Sequence, residues 1–259
     1  MRRRVTLLAS LALVLSHSAM SAPANLRVLF VGNSLTYYNS LPSLVFAVAA
    51  TSTPATRIDF EMLAAPGASI RQHLDEGHLG RVLADGHFDV VVFQEMGGFP
   101  ICATGSRECE ASPAALERAV RLIKKSGARP IMLGTYQPTV GQDMLSRVSR
   151  ETAQHLGVDW FDWGAALQRV AARDSKIETL IPNNFHPLPA GSWLAAIGLA
   201  KLITGAAPSQ HAITTVCAPN WIGARPALTN TSLASKQFQP PPNCSEISES
   251  TYQVLKEVS

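Results

Sequence analysis

The chain has 259 residues, enough for one sizeable α/β domain without a second. Charged residues make up 16% of it and hydrophobic residues 46%, a balance typical of a folded globular protein. The formal net charge of +3 is too small to indicate nucleic-acid binding, so no nucleic-acid partner is expected.

The N-terminal residues 1–24 have the pattern of a secretory signal peptide. Three arginines come first, an apolar stretch spans 5–15, and small residues follow, with a candidate cleavage site at 22–24. The apolar stretch is short for a bilayer, which makes an uncleaved anchor the weaker alternative. We predict a secreted or periplasmic protein with no stable membrane insertion after signal cleavage.

Apolar runs alternate with amphipathic helical patterns through the middle of the chain. The predicted strands are 26–31, 56–63, 88–94, 130–135 and 158–163. The predicted helices are 41–50, 113–127, 144–157, 166–174 and 191–205. This β-α alternation predicts a parallel sheet with helices on both faces.

The composition changes after Gly205, where Pro, Ser, Thr and Asn dominate. We predict one α/β domain over 25–205 and an irregular, disulfide-pinned C-terminal tail over 206–259.

Four cysteines allow three disulfide pairings. Cys102–Cys109 with Cys217–Cys244 is favoured, because each pair then lies within one irregular segment. A zinc site is the competing interpretation, but there is no Cys-x-x-Cys and no histidine at ligand spacing, so no metal is expected.

A serine follows the first predicted strand directly. The run VGNSLTYYNSLP (31–42) places Ser34 at the C-terminal end of that strand, where open α/β sheets place their chemistry. A nucleophilic serine needs a base, and the candidate is His186 in NNFHPLPAGSWLAA (183–196). The alternatives are that Ser34 is only a helix N-cap and that His186 is only a packed or capping residue.

These two runs resemble the conserved blocks of the SGNH/GDSL hydrolase family. Residues 32–35 match its Gly-Asp-Ser block, Gly67 matches its second-block glycine, and 183–186 match its Asp-x-x-His block. The resemblance covers roughly residues 26–205. It implies a five-stranded, flavodoxin-like parallel sheet, with Ser34 as nucleophile and His186 as general base.

The resemblance also implies an oxyanion hole formed by the backbone amides of Ser34 and Gly67. The third-block asparagine of the family is replaced here, and the side-chain amide of Gln94 is the candidate third donor. The triad aspartate is replaced by Asn183, which can accept a hydrogen bond from Nδ1–H but brings no charge. We expect Asn183 to orient His186, with the Asp162 carboxylate as the possible substitute.

Together these features predict a secreted serine esterase that hydrolyses a carboxylic ester through an acyl-enzyme, without metal or cofactor. Its substrate would be a small-molecule or glycan ester, with acetyl esters of carbohydrate among the candidates. The alternative is a catalytically degraded SGNH-fold protein that binds carbohydrate or acts as a scaffold. A nucleotide binder is disfavoured, because the first loop lacks a phosphate-binding glycine pattern.

Overall fold

The structure is a computed structural model, and it describes residues 24–52, 55–103, 105–136, 141–209, 213–218, 224–229 and 243–259. Residues 1–23 of the predicted signal peptide lie outside these ranges. Within the described ranges, no helix has the length and apolarity needed to span a bilayer.

The strands of the described residues are β1 (Ala24–Gly32), β2 (Thr56–Ala64), β3 (Val90–Gln94), β4 (Arg129–Leu133), β5 (Asp159–Phe161), β6 (Thr215–Ala218), β7 (Ala224–Thr229) and β8 (Asn243–Glu246). The helices are α1 (Ser34–Tyr37), α2 (Leu41–Ala50), α3 (Ile70–Asp75), α4 (His78–Asp85), α5 (Arg107–Glu110), α6 (Ser112–Lys125), α7 (Gln142–Leu156), α8 (Trp163–Arg173), α9 (Pro189–Thr204) and α10 (Glu249–Val258).

The main sheet has the strand order β5-β4-β3-β1-β2-β7. Its first five strands are parallel, which confirms the predicted flavodoxin-like sheet. The order reverses at β1, which pairs with β2 on one side and β3 on the other. Clefts outside the carboxyl ends of strands form at such a switch point, and Ser34 follows β1 there.

Alternate residues of β1 enter two separate cores. Val28 and Phe30 are fully buried in the core shared with α2 and α9, whereas Leu29 and Val31 are fully buried in the core shared with α3, α4 and α6. Successive side chains of a strand point to opposite faces, so an unbroken apolar strand requires helices on both faces. This double burial fixes the end of β1 rigidly.

Helix α9 begins at Pro189, three residues after His186, and anchors the loop that carries this histidine. Nearly all of its residues are buried, and Trp193 and Leu194 are fully so. A Cβ on Gly191 would lie 2.3 Å from the Thr179 carbonyl oxygen, so the helix can approach the 177–181 segment only with glycine there. The base-bearing loop therefore leads into one of the best-packed elements of the core.

The polar segment between β2 and β3 forms two helices, α3 and α4, and one of its histidines, His73, is buried. It lies on α3 with no solvent exposure, and its Nε2 is 2.7 Å from the Gly32 carbonyl oxygen. The short, polar helices α3 and α4 give a weak sequence signal, yet Leu74 and Leu79 bury their apolar faces against the sheet.

The described residues after Gly205 contain three strands and a helix as well as irregular stretches such as 206–209. Strand β7 pairs antiparallel with β2, and β6 pairs antiparallel with β8. Helix α10 is capped by Ser248 and buries Tyr252 and Leu255 completely. Backbone pairing at a sheet edge does not require an apolar pattern, which is why the polar composition concealed these strands.

The favoured disulfide pairing is confirmed. The structure contains Cys102–Cys109 and Cys217–Cys244, and Cys217 and Cys244 are direct partners in the β6–β8 pair.

Candidate active site

Ser34 is held at the carboxyl end of β1 by the residues that precede it. The Asn33 side chain caps α1 by accepting from the Leu35 backbone N–H at 3.1 Å, and it donates to the Ala68 carbonyl oxygen at 3.1 Å. Asn33 is almost fully buried. A Cβ on Gly32 would lie 2.2 Å from the Thr36 Oγ1, so glycine is needed for the close turn. The Gly-Asn-Ser motif thus fixes the position of the Ser34 backbone through local contacts.

His186 meets Ser34 across 152 residues of sequence. Its Nε2 lies 2.9 Å from the Ser34 Oγ, within hydrogen-bonding distance. The structure therefore brings together the predicted nucleophile and its predicted base.

The loop carrying His186 is pinned by its own backbone and by a buried tyrosine. The Ile181 N–H donates to the His186 carbonyl oxygen at 2.8 Å, and the Phe185 N–H donates to the Ile181 carbonyl at 2.9 Å. Phe185 has a φ of 57°, an unfavourable value for a bulky residue. The Tyr136 hydroxyl donates to the Phe185 carbonyl at 2.8 Å, which supports this conformation.

Hydrogen bonds also join the segment after Ser34 to the loop that carries His186. The Asn39 Nδ2 donates to the Pro187 carbonyl oxygen at 2.8 Å and to the Ser192 Oγ at 3.0 Å. Beside it, the Tyr38 ring stacks on the His186 imidazole, with centroids 4.1 Å apart and an interplanar angle of 18°. Nothing in the local sequence indicates these contacts, because the partners lie almost 150 residues apart in the chain.

Gly67 occupies a turn after β2, beside the end of β1. Its φ of 63° favours glycine, and the Ala68 N–H closes the turn on the Ala65 carbonyl oxygen at 3.1 Å. The bond from Asn33 to the Ala68 carbonyl fastens this turn to the serine segment.

Gln94 is buried at the end of β3, with no solvent exposure. Its Oε1 accepts from the Thr36 hydroxyl at 3.1 Å, and its Nε2 donates to the Glu95 carbonyl. The role of Gln94 as the third oxyanion donor stays a prediction.

Glu95 has a structural position. Its carboxylate accepts from the backbone N–H groups of Ile70 and Met96 and from the Ser112 hydroxyl, and it ties α3 and α6 to the end of β3. Burial raises the pKa of the Glu95 carboxyl.

No protein-family model and no curated protein sequence matches the chain. Solved structures do match it. A protein described as an SGNH hydrolase from Slackia heliotrinireducens is 26% identical with a TM-score of 0.57, and the match covers 69% of this chain and 99% of that one. This match confirms the predicted resemblance to the SGNH/GDSL hydrolases.

Two further structures share the SGNH fold at lower identity. Axe2, an acetylxylan esterase from Geobacillus stearothermophilus, is 17% identical with a TM-score of 0.55, covering 70% of this chain and 94% of Axe2. A protein described as a GDSL-like lipase from Parabacteroides merdae is 13% identical with a TM-score of 0.55, covering 72% of this chain and 98% of that one.

The chain departs from the expected triad at the Nδ1 of His186. The His186 Nδ1 is buried and has no hydrogen-bond partner among the described residues. Asn183 is exposed and does not bond to it; instead, the neighbouring Asn184 Oδ1 accepts from the His186 backbone N–H at 3.0 Å. A buried polar group without a partner costs about 1–3 kcal/mol. The role of Asn183 in orienting the imidazole stays a prediction, and in this structure no hydrogen bond joins the two side chains.

Asp162 does not substitute for the missing acid. Its Oδ1 accepts from the Ala165 N–H at 3.0 Å, capping α8, and from the Ser146 hydroxyl at 3.0 Å. This carboxylate therefore stabilises the N-terminus of α8.

We expect Asn183→Ala to leave kcat/KM for an ester substrate within about twofold of wild type, because exposed substitutions away from packed features have small effects. Steady-state kinetics with a p-nitrophenyl ester would check this. Asn184→Ala is the matched control, since it removes a bond to the His186 backbone and should have the larger effect. A loss above about tenfold in Asn183→Ala would restore Asn183 as the orienting residue.

Burial lowers the pKa of His186, because it disfavours the charged imidazolium. A general base must be neutral, so the working form persists to a lower pH than for an ordinary histidine. We expect kcat/KM to be flat near neutral pH and to fall in acid with a midpoint below the ordinary histidine value. A pH–rate profile measures it, and a midpoint above that value would contradict the desolvated environment.

Proposed function

We propose that the chain is a serine ester hydrolase of the SGNH type, with Ser34 as nucleophile and His186 as general base. The observation that carries the proposal is the 2.9 Å separation between the Ser34 Oγ and the His186 Nε2 at the carboxyl edge of the sheet. The similarity of the chain to a structure described as an SGNH hydrolase supports the same chemistry.

The proposed reaction runs in two halves. The Ser34 Oγ attacks the ester carbonyl carbon while its proton passes to the His186 Nε2, and the carbonyl electron pair moves onto oxygen. The amide N–H groups of Ser34 and Gly67 would donate to that oxyanion. As the intermediate collapses, the bond to the alcohol breaks and Nε2–H protonates the leaving oxygen. In the second half, water gives a proton to the His186 Nε2 and attacks the acyl carbon. The bond to the Ser34 Oγ then breaks, Oγ takes the proton back from Nε2, and the carboxylic acid is released.

We further propose that the protein acts outside the cytoplasm on an acetylated carbohydrate or another small ester. Two disulfides are typical of an oxidising compartment, and they support the signal-peptide interpretation. The name of Axe2 gives acetylxylan as a first compound to test, although its likeness to this chain extends to the fold alone.

Active-site labelling tests the proposal. A fluorophosphonate probe should modify the folded protein at Ser34, identified by peptide mass spectrometry, and His186→Ala should slow labelling strongly. Heat-denatured protein is the control for non-specific reaction. Turnover is then compared on p-nitrophenyl esters from acetate to palmitate, acetylated xylan and peptidoglycan. Absence of both labelling and turnover would overturn the proposal.

A second candidate is a carbohydrate-binding or scaffold protein on a degraded hydrolase fold. The observation that favours it is the unpartnered Nδ1 of His186, which leaves the histidine without the usual acid. Saturable glycan binding by calorimetry, together with no probe labelling, would select this function.

A further inference from the structure

The contacts of His186 raise the question of what stabilises its positive charge if it accepts the serine proton. Among the described residues, the Nδ1 has no hydrogen-bond partner, and no carboxylate forms an ion pair with the ring within 4.0 Å. An ordinary triad uses a buried aspartate for this task. Desolvation is the one cause of the lowered pKa of His186, which is consistent with the absence of a nearby charge.

The group that does contact the ring is an aromatic face. The Tyr38 and His186 rings are nearly parallel, with an interplanar angle of 18° and centroids 4.1 Å apart. A cation within about 6 Å of an aromatic centroid is attracted by the negative face of the ring. The attraction appears only once the imidazole is protonated, so it favours the transition state over the resting state.

The backbone of Tyr38 ties this ring to the nucleophile. Its N–H donates to the Ser34 carbonyl oxygen at the end of α1, and the next residue, Asn39, binds the Pro187 carbonyl beside the histidine. The Tyr38 ring also lies beside the buried ring of Tyr37, with centroids 5.9 Å apart. The stack is thus part of the same rigid turn that presents Ser34.

We propose that Tyr38 is the positioning residue of His186, and that its π face stabilises the imidazolium in place of the triad carboxylate. This inference rests on the proposed function, because it assigns a role to the protonated histidine of that reaction. It accounts for an exposed Asn183, since no hydrogen bond to Nδ1 is then needed to hold the ring plane. The His186 ring contacts the Ser34 hydroxyl and the Tyr38 ring, and the Tyr136 hydroxyl donates to the carbonyl oxygen of the preceding residue, Phe185.

The test reduces the negative electrostatic potential of the ring face while nearly preserving the shape of the ring. Tyr38→Phe should retain kcat/KM within about threefold, because the hydroxyl takes no part in the stack. Trifluoro- and pentafluorophenylalanine at position 38 progressively remove the negative face, and kcat/KM for p-nitrophenyl acetate should fall stepwise, by about tenfold at the last step. The loss should lie in kcat, with KM unchanged. The same fluorinated residues at Phe46, 39% exposed on α2, control for fluorination itself.

A second readout follows the histidine directly. An NMR titration of the His186 ring, assigned by loss of its signal in His186→Gln, should show a lower midpoint with pentafluorophenylalanine than with Phe at position 38. An unchanged kcat/KM or an unchanged midpoint across the fluorine series overturns the proposal. If Ser34→Ala kept the wild-type rate, the proposed function would fail instead, and the NMR midpoint alone would then decide the role of Tyr38.

Discussion

Ser34→Ala should lower kcat/KM for any ester substrate by at least about a thousandfold, and it should abolish fluorophosphonate labelling. The hydroxyl is the proposed nucleophile, and no other described hydroxyl is hydrogen-bonded to the His186 imidazole. Removing a nucleophile that acts as a unit with its base leaves only binding and oxyanion stabilisation, which accounts for the size of the loss.

The folded state should be unaffected by this change. Ser34 is only partly buried, and the cap of α1 comes from the Asn33 side chain rather than from the serine. Thermal melting should therefore give the wild-type midpoint. Ser126→Ala, at the end of α6 and outside the site, is the matched control and should keep full activity. Turnover by Ser34→Ala within about tenfold of wild type would rule out a serine nucleophile.

The parallel sheet could be predicted because its strands are buried on both faces. The residues Val90 to Gln94 of β3 are all buried, and the first four of them form an unbroken apolar run in the sequence. Ser34 was predictable for the same reason, since it directly follows such a strand. The antiparallel β7 was not predictable, because an edge strand is specified mainly by backbone pairing with β2.

The details of the site depend on contacts that sequence spacing does not determine. The spacing from Asn183 to His186 matches the family block, but it does not set the direction in which the Asn183 side chain points. Phe185, between them, adopts a left-handed conformation, and the Asn184 side chain folds back on the His186 N–H. Gln94 likewise follows a strand as expected, yet its amide is occupied by Thr36 and Glu95.

Asn39 illustrates a positioning role that only the fold reveals. Its partner Pro187 lies 148 residues away, and the bond joins the turn after the nucleophile to the loop of the base. Asn39 also has a φ of 51°, a left-handed value that asparagine tolerates better than most residues. We infer that the side chain sets the distance between Ser34 and His186.

We expect Asn39→Gly to lower kcat by about ten- to a hundredfold with little change in KM, because misplacing a reacting group by about 1 Å can cost that much. Glycine keeps the left-handed backbone free of strain, so the variant removes the clamp while preserving the turn. Stopped-assay kinetics on a p-nitrophenyl ester, with the melting temperature measured in parallel, would show whether the loss exceeds any change in stability.

A double-mutant cycle shows whether Asn39 affects turnover by positioning His186. If Asn39 acts through the histidine, Asn39→Gly should cause almost no further loss in a His186→Ala background, since the residue it positions is already gone. Ser192→Ala removes only the weaker of the two bonds to Asn39 and should have a smaller effect than Asn39→Gly. Two results would contradict this role: full activity in Asn39→Gly, or equal losses from Asn39→Gly in the wild-type and His186→Ala proteins. Either would mean that the Tyr136 bond and the loop backbone hold His186 without Asn39.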